Sequence, residues 1–562
     1  MQSVVIVLLG IIGMLFGWFV YSKFIASRIF QMDDKYITPA HQINDGVDFV
    51  PTKKVVLWGH HFTSVAGAAP IVGPAIAVYW GWVPAVIWVV LGTIFFAGVH
   101  DMGALWASSR HKGKSIGALS EEVIGKRTRA LFMIVVFLVL LMVNAVFGVV
   151  IANSFVSQPT AVLPAWAAIV FALIIGQLIR RNFNLVFLCL LGVVALYLTV
   201  YAGSEMPLAL PKEMFGLSDK ANWIILLFIY AAVASLLPVW VLLQPRDFIN
   251  GVQLLVGLVL LYGAVFMFMP DITAPAFNSE VAESTPSIIP LLFVTIACGA
   301  VSGFHGIVSS GTSSKQLDKD TDARFVGYLG AVGEGSLALI TIVAVSGVTL
   351  AMSPQEWHEV YSHLGAGSVG AFIQGGSNLI FQGWGIPSEL ASTLLAVMVV
   401  LFAGTTMDSG VRLQRYIIQE WGEIYQISAF RNGIIATLIA VACCLLLAFG
   451  AGGSSGSGGM IIWPLFGSTN QILASLTLLV ISVMLIKMGR PARYTLVPML
   501  FVLVMAFFAG ILKLQEYYSA GNWLLVTLDI IVLVVCVLVM LEAWTVIKAQ
   551  KQQLAPTTEE ND

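Results

Sequence analysis

Apolar runs long enough to cross a bilayer as helices, about 17 to 25 residues each, recur along the whole chain. They fall near 3–22, 55–79, 82–106, 129–152, 162–179, 183–203, 222–243, 251–270, 288–310, 325–350, 388–410, 431–450, 461–487, 495–512 and 522–547. About fifteen transmembrane helices are predicted. The polar connectors sort by side. Lys23, Arg28, Lys35, Lys53 and Lys54 follow the first run, and Arg110, Lys112, Lys114, Lys126, Arg127 and Arg129 follow the third. Other odd-numbered runs are also followed by Lys or Arg. Connectors after even-numbered runs are nearly free of them, and 271–287 carries Asp271, Glu280 and Glu283 instead. By the positive-inside rule the N-terminus is outside and the C-terminus cytoplasmic. Residues 353–387 begin polar and continue glycine-rich, which reads as an outer amphipathic or re-entrant piece. Residues 451–459, AGGSSGSGG, read as a flexible outer loop, and 549–562 as a disordered cytoplasmic tail.

The second run departs from a plain anchor. It reads VVLWGHHFTSVAGAAPIVGPAIAVYWG, with His60 and His61 one turn inside and Thr63, Ser64, Gly67, Pro70, Gly73 and Pro74 after them. Each proline lacks a backbone donor and crowds the carbonyl four residues earlier. Pro70 and Pro74 therefore free the carbonyls of Ala66 and Pro70. A freed carbonyl at membrane depth needs protein or a wet cavity beside it. The run is read as a broken helix lining a polar cavity, the way transporters build midplane sites. The plainer reading is a kinked helix whose small residues serve close packing.

The second to sixth runs and the seventh to eleventh form two sets of five that begin on opposite sides, so they are inverted relative to one another. Pro238 interrupts the first helix of the second set, as Pro70 interrupts that of the first. Matched interruptions in inverted halves point to a transport site. The chain then divides into an N-terminal extra helix and connector (1–54), a first repeat (55–203), a second repeat (204–430), C-terminal accessory helices (431–548) and the tail.

Composition narrows the class. Of 562 residues, 58% are hydrophobic and 10% charged, against about a quarter charged in soluble domains. The chain is an integral membrane protein in contact with lipid. A net charge of −2 gives no reason to expect a nucleic-acid partner. Cys189, Cys298, Cys443, Cys444 and Cys536 all lie in apolar runs without a C-x-x-C pair, and read as small core residues rather than disulfides or a zinc site.

Intramembrane polar residues supply the remaining candidates. His100 and Asp101 approach the end of the third run, where Asp101 either handles ions or pairs with Arg110. The ninth run, TIACGAVSGFHGIVSSGTSSK, places Ser302, His305 and Ser309 at helical spacing on one face. Hydroxyls suit sodium and a histidine suits a proton relay; the plainer reading is small-residue packing. Glu334 needs a partner that the sequence does not name, and Asn144 is placed to bond across helices. Asp408 and Arg412 are four apart and read as an intrahelical ion pair. Arg246 and Asp247 read as a structural pair, and WPLFGSTNQ (463–471) as a structural entrance to its helix.

The strings GHHFTSVAGAAPIVGP, ACGAVSGFHGIVSSGT and WPLFGSTNQ, with LPVWVLLQPRD between them, together resemble the carbon starvation protein A (CstA) family from about residue 50 to 490. The resemblance implies membership of the amino acid–polyamine–organocation superfamily and an all-α LeuT-like five-plus-five inverted core. The second, seventh and ninth runs would be core helices one, six and eight. Family members are described as peptide transporters and some as proton-driven pyruvate transporters. The expected activity is import of small peptides or a small carboxylate, with no cofactor and no catalytic residues. A substrate site is expected at His61, Thr63, Ser64, Gly67, Ala68, Pro70 and Trp240. Proton coupling is expected among His60, His61, His100, Asp101 and His305. A sodium ion at the Ala66 carbonyl, Ser302 and Ser309 is the alternative. A membrane haem or metal oxidoreductase is a rival, disfavoured because adjacent histidines point about 100° apart on a helix. A sensor would want a soluble output domain, and a channel would not need inverted interruptions.

Overall fold

The computed structural model describes residues 3–46, 48–181, 183–238, 241–279, 287–346, 354–361, 369–451, 453 and 458–554. Trp240, Glu280 and Glu283 lie outside them, as do most of 451–459 and residues 555–562. The protein is an all-α polytopic membrane protein. Among the described residues, 13 helices are long and apolar enough to cross a membrane, or 14 when one bent pair counts as a single span. A short two-stranded hairpin, Glu213–Met214 with Leu217–Ser218, is the only paired strand element described.

The difference from fifteen has a physical reason. The run at 288–310 is two short helices, Ile288–Thr295 and Gly303–Gly311, separated by an unwound segment. Neither is long enough to count as a span. No proline lies inside that break; Gly299 adopts φ 93° there, a conformation L side chains rarely take.

Ten helices place the site. We label them α1 (Lys54–Ala66), α2 (Ala69–Ala77), α3 (Trp82–Arg110), α4 (Asp219–Leu236), α5 (Leu243–Phe268), α6 (Ile288–Thr295), α7 (Gly303–Gly311), α8 (Arg324–Val345), α9 (Ser388–Ile424) and α10 (Gly458–Lys487). α1 and α2 are the bent pair, at 47°. The break lies at Gly67 and Ala68. Pro70 sits in the first turn of α2, where its missing donor would be unpaired anyway. Pro74 does not break the chain; it lies inside α2. Gly67 (φ 53°, ψ −157°) occupies a backbone region essentially reserved for glycine. A Cβ there would meet Thr406 Oγ1 at 2.8 Å and the Phe147 ring at 2.9 Å. Pro238 does not interrupt a span as expected: the seventh run ends as a helix at Leu236, and Pro238 lies in the connector to α5, which is a membrane-length helix of its own.

Burial sorts the helices. α10 buries 94% of its apolar window and Lys126–Ser157 buries 89%, against 33% for the first helix, Ser3–Ile29. The outer helices present Leu9, Ile12, Phe19, Leu198, Leu446 and Trp544 outward, the surface that lipid would cover. The piece at 353–387 contains helices Pro354–Val360 and Val369–Trp384. Tyr361 donates to the Ala75 carbonyl at 3.0 Å, tying this piece to the C-terminal end of α2. The last helix runs from Trp523 to Leu554, so residues 549–554 of the expected tail are helical.

Candidate functional site

His60 and His61 project from neighbouring positions on α1 into different surroundings. His60 Nδ1 lies 3.0 Å from Asp247 Oδ2 on α5. His61 Nδ1 lies 2.9 Å from Ser313 Oγ, and its ring packs beside Gly330 of α8. Thr63 bonds the carbonyls of Gly59 (2.8 Å) and Asp247 (3.2 Å), which fixes α1 against the start of α5.

His60 opens onto the first of two charged clusters. Behind Asp247, the Arg246 guanidinium donates to Asp408 of α9 and, at 2.6 Å, to the Tyr230 hydroxyl of α4. Tyr230 donates to the same Asp408 carboxylate at 2.7 Å. Arg246, Asp247 and Asp408 are buried. Asp408 therefore does not pair with Arg412 along its own helix. Arg412 turns instead to the frayed end of α4, donating to the carbonyls of Ala234 at 2.9 Å and Leu237 at 2.6 Å. A cation at a helix C-terminus is favourable, and two freed carbonyls outbid a neighbour one turn away.

A recess reaches this cluster from one end of the molecule. His60, Ser64, Lys315, Thr312, Ser409 and Arg412 are on its walls. Lys315 and Arg412 are permanent cations there; Asp48 is the one acid, 4.0 Å from Lys315. The Ser64 hydroxyl has no bonding partner.

The second cluster lies where α3, α7 and α8 meet. Asp101 accepts from both sides: His100 Nδ1 at 2.7 Å and His305 Nδ1 at 2.8 Å. His305 Nε2 lies 3.2 Å from Glu334 Oε2, which supplies the partner the sequence did not name. Arg110 is not involved; it pairs with Asp320 at 2.6 Å. Asp101, His305 and His100 are fully buried, and Glu334 is 1% exposed. Cys298, in the unwound segment between α6 and α7, joins them, so the donor atoms of Cys298, His305 and Glu334 all lie within 4.8 Å of one another. That is close enough for one metal ion to span.

The unwound segment is held by residues that sequence reasoning treated as structural entrance. Asn470 of α10 accepts from Phe304 N at 2.8 Å, capping α7, and donates to Ser302 Oγ at 3.0 Å. Gln471 donates to the Phe293 carbonyl near the end of α6. Trp88 Nε1 and Thr93 Oγ1 of α3 donate to the carbonyls of Ile296 (3.1 Å) and Gly299 (3.2 Å). The signal was an amide pair inside an apolar helix, which must find partners. Ser302 is extended (φ −139°, ψ 129°), so it does not share a helical face with His305 and Ser309. The Ser309 hydroxyl is buried without a partner. Ala66, Gly67, Ala68 and Pro70 are buried around the first break, and Gly299 of the second break lies against Pro70. Asn144 bonds Gln414 across helices at 3.1 Å, as its place in an apolar run anticipates.

Broken helices joined inside a bundle, with buried histidine–carboxylate clusters beside the breaks, define a polytopic membrane protein of the transporter class. The family model for carbon starvation protein CstA matches residues 2–356 and 345–509, and the chain belongs to that family. It is 30% identical to the peptide transporter CstA of Campylobacter jejuni, over 93% of this chain and 81% of that one. It is 32% identical to the peptide transporter CstA of Helicobacter pylori strain J99, over 89% and 80%. It is 30% identical to the pyruvate/proton symporter BtsT of Escherichia coli, over 88% and 79%. Among solved structures, a manganese transporter mutant from Eremococcus coleocola superposes with a TM-score of 0.51 at 12% identity, covering 91% of this chain and 99% of that one. The last likeness concerns the fold alone.

Proposed function

We propose that the protein is a secondary active transporter that imports small carboxylates, or small peptides through their free carboxylate, across the bacterial inner membrane. A proton gradient drives it. The names of its relatives, peptide transporters and a pyruvate/proton symporter, support the substrate range. The observation that carries the reading is the recess: Lys315 and Arg412 give it an excess of positive charge, and His60 on its wall continues into the buried Asp247. Such a recess concentrates anions. Histidine is the side-chain type suited to carrying a proton near neutral pH, and His60 is the histidine of α1 that reaches the recess.

In this reading the carboxylate crosses at the Gly67–Ala68 break, where Ser64 offers an uncommitted hydroxyl, and leaves through the recess. A proton taken by the His60–Asp247 pair offsets the incoming negative charge. The bent α1–α2 pair and α4, which ends just before Pro238, are the first helices of two inverted repeats in a LeuT-like core, and one bundle rocks against the other. With α6 and α7 taken together as one broken crossing the number of crossings is odd, so the N-terminus is outside, the C-terminus cytoplasmic, and the recess opens to the cytoplasm. The test is uptake of labelled pyruvate and of small peptides into proteoliposomes, with pH and sodium gradients imposed separately. Accumulation driven by the pH gradient alone is expected. Accumulation that needs sodium and ignores pH would replace the proton with sodium, and no uptake of either substrate class would remove the reading.

A further inference from the structure

The cycle above leaves the sealed cluster at His305 unused. We propose that Cys298, His305 and Glu334 form a binding site for one divalent transition-metal ion, zinc being the best fit, and that the bound ion holds the carrier still.

The three side chains converge from separate pieces of chain: the unwound segment before α7, the first turn of α7, and α8. All three are buried, and their donor atoms lie within 4.8 Å of one another. Ordinary bond lengths to zinc place ligand atoms roughly 3.5 Å apart around the ion, so closure needs a shift of about an ångström. The piece that must move is Cys298, which no helix constrains.

The contacts among the three side chains are few, and a cation can replace them. Asp101 receives the Nδ1 proton of His305, which leaves Nε2 as the atom facing Glu334. Nε2 has no hydrogen bond of acceptable geometry, and Glu334 Oε1 has no partner. Cys298 Sγ is engaged by Ser302 at 3.2 Å and by Asn470 Nδ2 at 3.7 Å, weak contacts for sulfur. The imidazole, the carboxylate and the sulfur thus converge with one ion contact and two weak sulfur contacts to hold them. Metal-ligating histidines regularly donate their other ring N–H to a carboxylate, which orients the ring and raises its basicity. Asp101 is placed for that role, and His100 secures Asp101 from the other side. Thiolate with imidazole selects zinc, cobalt and their neighbours over magnesium or calcium. On binding, the Cys298 thiol gives its proton to solvent as the sulfur–metal bond forms. Ser302 Oγ or a water would complete a tetrahedron. An ion here ties the break of α6–α7 to α8, and through Asp101 to α3. Relative motion of these elements is what alternating access needs.

The test uses full-length protein in nanodiscs, stripped of metal and titrated with Co2+ and Zn2+. About one equivalent should bind, and cobalt should give a thiolate-to-metal charge-transfer band that zinc displaces. Cys298→Ser should abolish the band while metal-free uptake stays at the wild-type level. Asp101→Asn should keep the band and weaken affinity by about 10–100-fold. Zinc should arrest uptake by the wild type and not by Cys298→Ser. Wild-type protein that transports but binds no metal, or Cys298→Ser that binds cobalt with an unchanged spectrum, overturns the site. Stoichiometric binding with undiminished uptake overturns the arrest. Because Cys298 has no part in the recess, these outcomes are independent of whether the carboxylate reading holds.

Discussion

Two buried clusters begin from the same chemical pair, a histidine on a carboxylate, and end differently. At His60 the carboxylates of Asp247 and Asp408 flank Arg246, whose charge is permanent, and His60 reaches a recess. At His305 the carboxylates of Asp101 and Glu334 meet only imidazoles and a thiol. No arginine or lysine makes an ion pair there among the described residues. The first cluster sets one guanidinium against two carboxylates, so its last negative charge is balanced only when His60 carries a proton, and it meets the recess at one edge. The second is buried in this conformation, and its imidazoles, carboxylates and thiol can hold protons or a metal ion. A fixed guanidinium holds the carboxylates in place and leaves the histidine at the edge to exchange the proton; its absence leaves a site whose occupancy is set from outside.

The largest expected effect separates them directly. Arg246→Met strands two buried carboxylates, and breaking a buried pair in this way costs about 3–5 kcal/mol. Thermal unfolding in detergent should show it as a large drop in midpoint. In the second cluster Asp101→Asn leaves groups that can shed or rearrange protons, so the loss should stay near that of an unsatisfied buried hydrogen bond, about 1–3 kcal/mol. Equal losses in the two variants break the distinction. Next, Asn470→Ala removes the α7 cap and the Ser302 bond, and should cost about 1–2 kcal/mol, together with faster hydrogen exchange at 296–304. Smaller in stability but sharper in function is His60→Gln. It should unfold within about 1 kcal/mol of wild type, abolish accumulation driven by a pH gradient, and preserve exchange of labelled for unlabelled substrate. Smallest is Lys315→Gln, expected to slow substrate exchange measured from the cytoplasmic side several-fold at low salt and much less at high salt, because exposed charges are screened. A salt-independent defect would mean that Lys315 contacts substrate rather than steering it.

Hydropathy alone carried the sequence reading a long way. Fourteen of the fifteen expected runs lie on membrane-length helices or the bent pair, and the break near Pro70 was legible because proline chemistry is local. The fifteenth was hidden, since its break rests on Gly299 and on capping by Asn470, 168 residues beyond Ser302. The same distance effect governs the charges. Asp408 and Arg412 have ideal spacing for a helical pair, but the partners that win, Arg246 and the α4 carbonyls, come from other helices. Spacing rules compare neighbours along one helix and are blind to what folding brings alongside. Glu334 was correctly read as needing a partner; which one depends on the crossing of α7 and α8.

The guanidinium at the end of α4 has a consequence for driving ions. Carbonyls that a helix leaves bare inside a bilayer ordinarily recruit a dissolved cation, which arrives and departs with the concentration outside. At Ala234 and Leu237 that vacancy is filled by Arg412, an ion on a leash. The carbonyls at this helix end thus hold a counter-charge that is part of the chain itself, and they offer no vacancy to a dissolved cation.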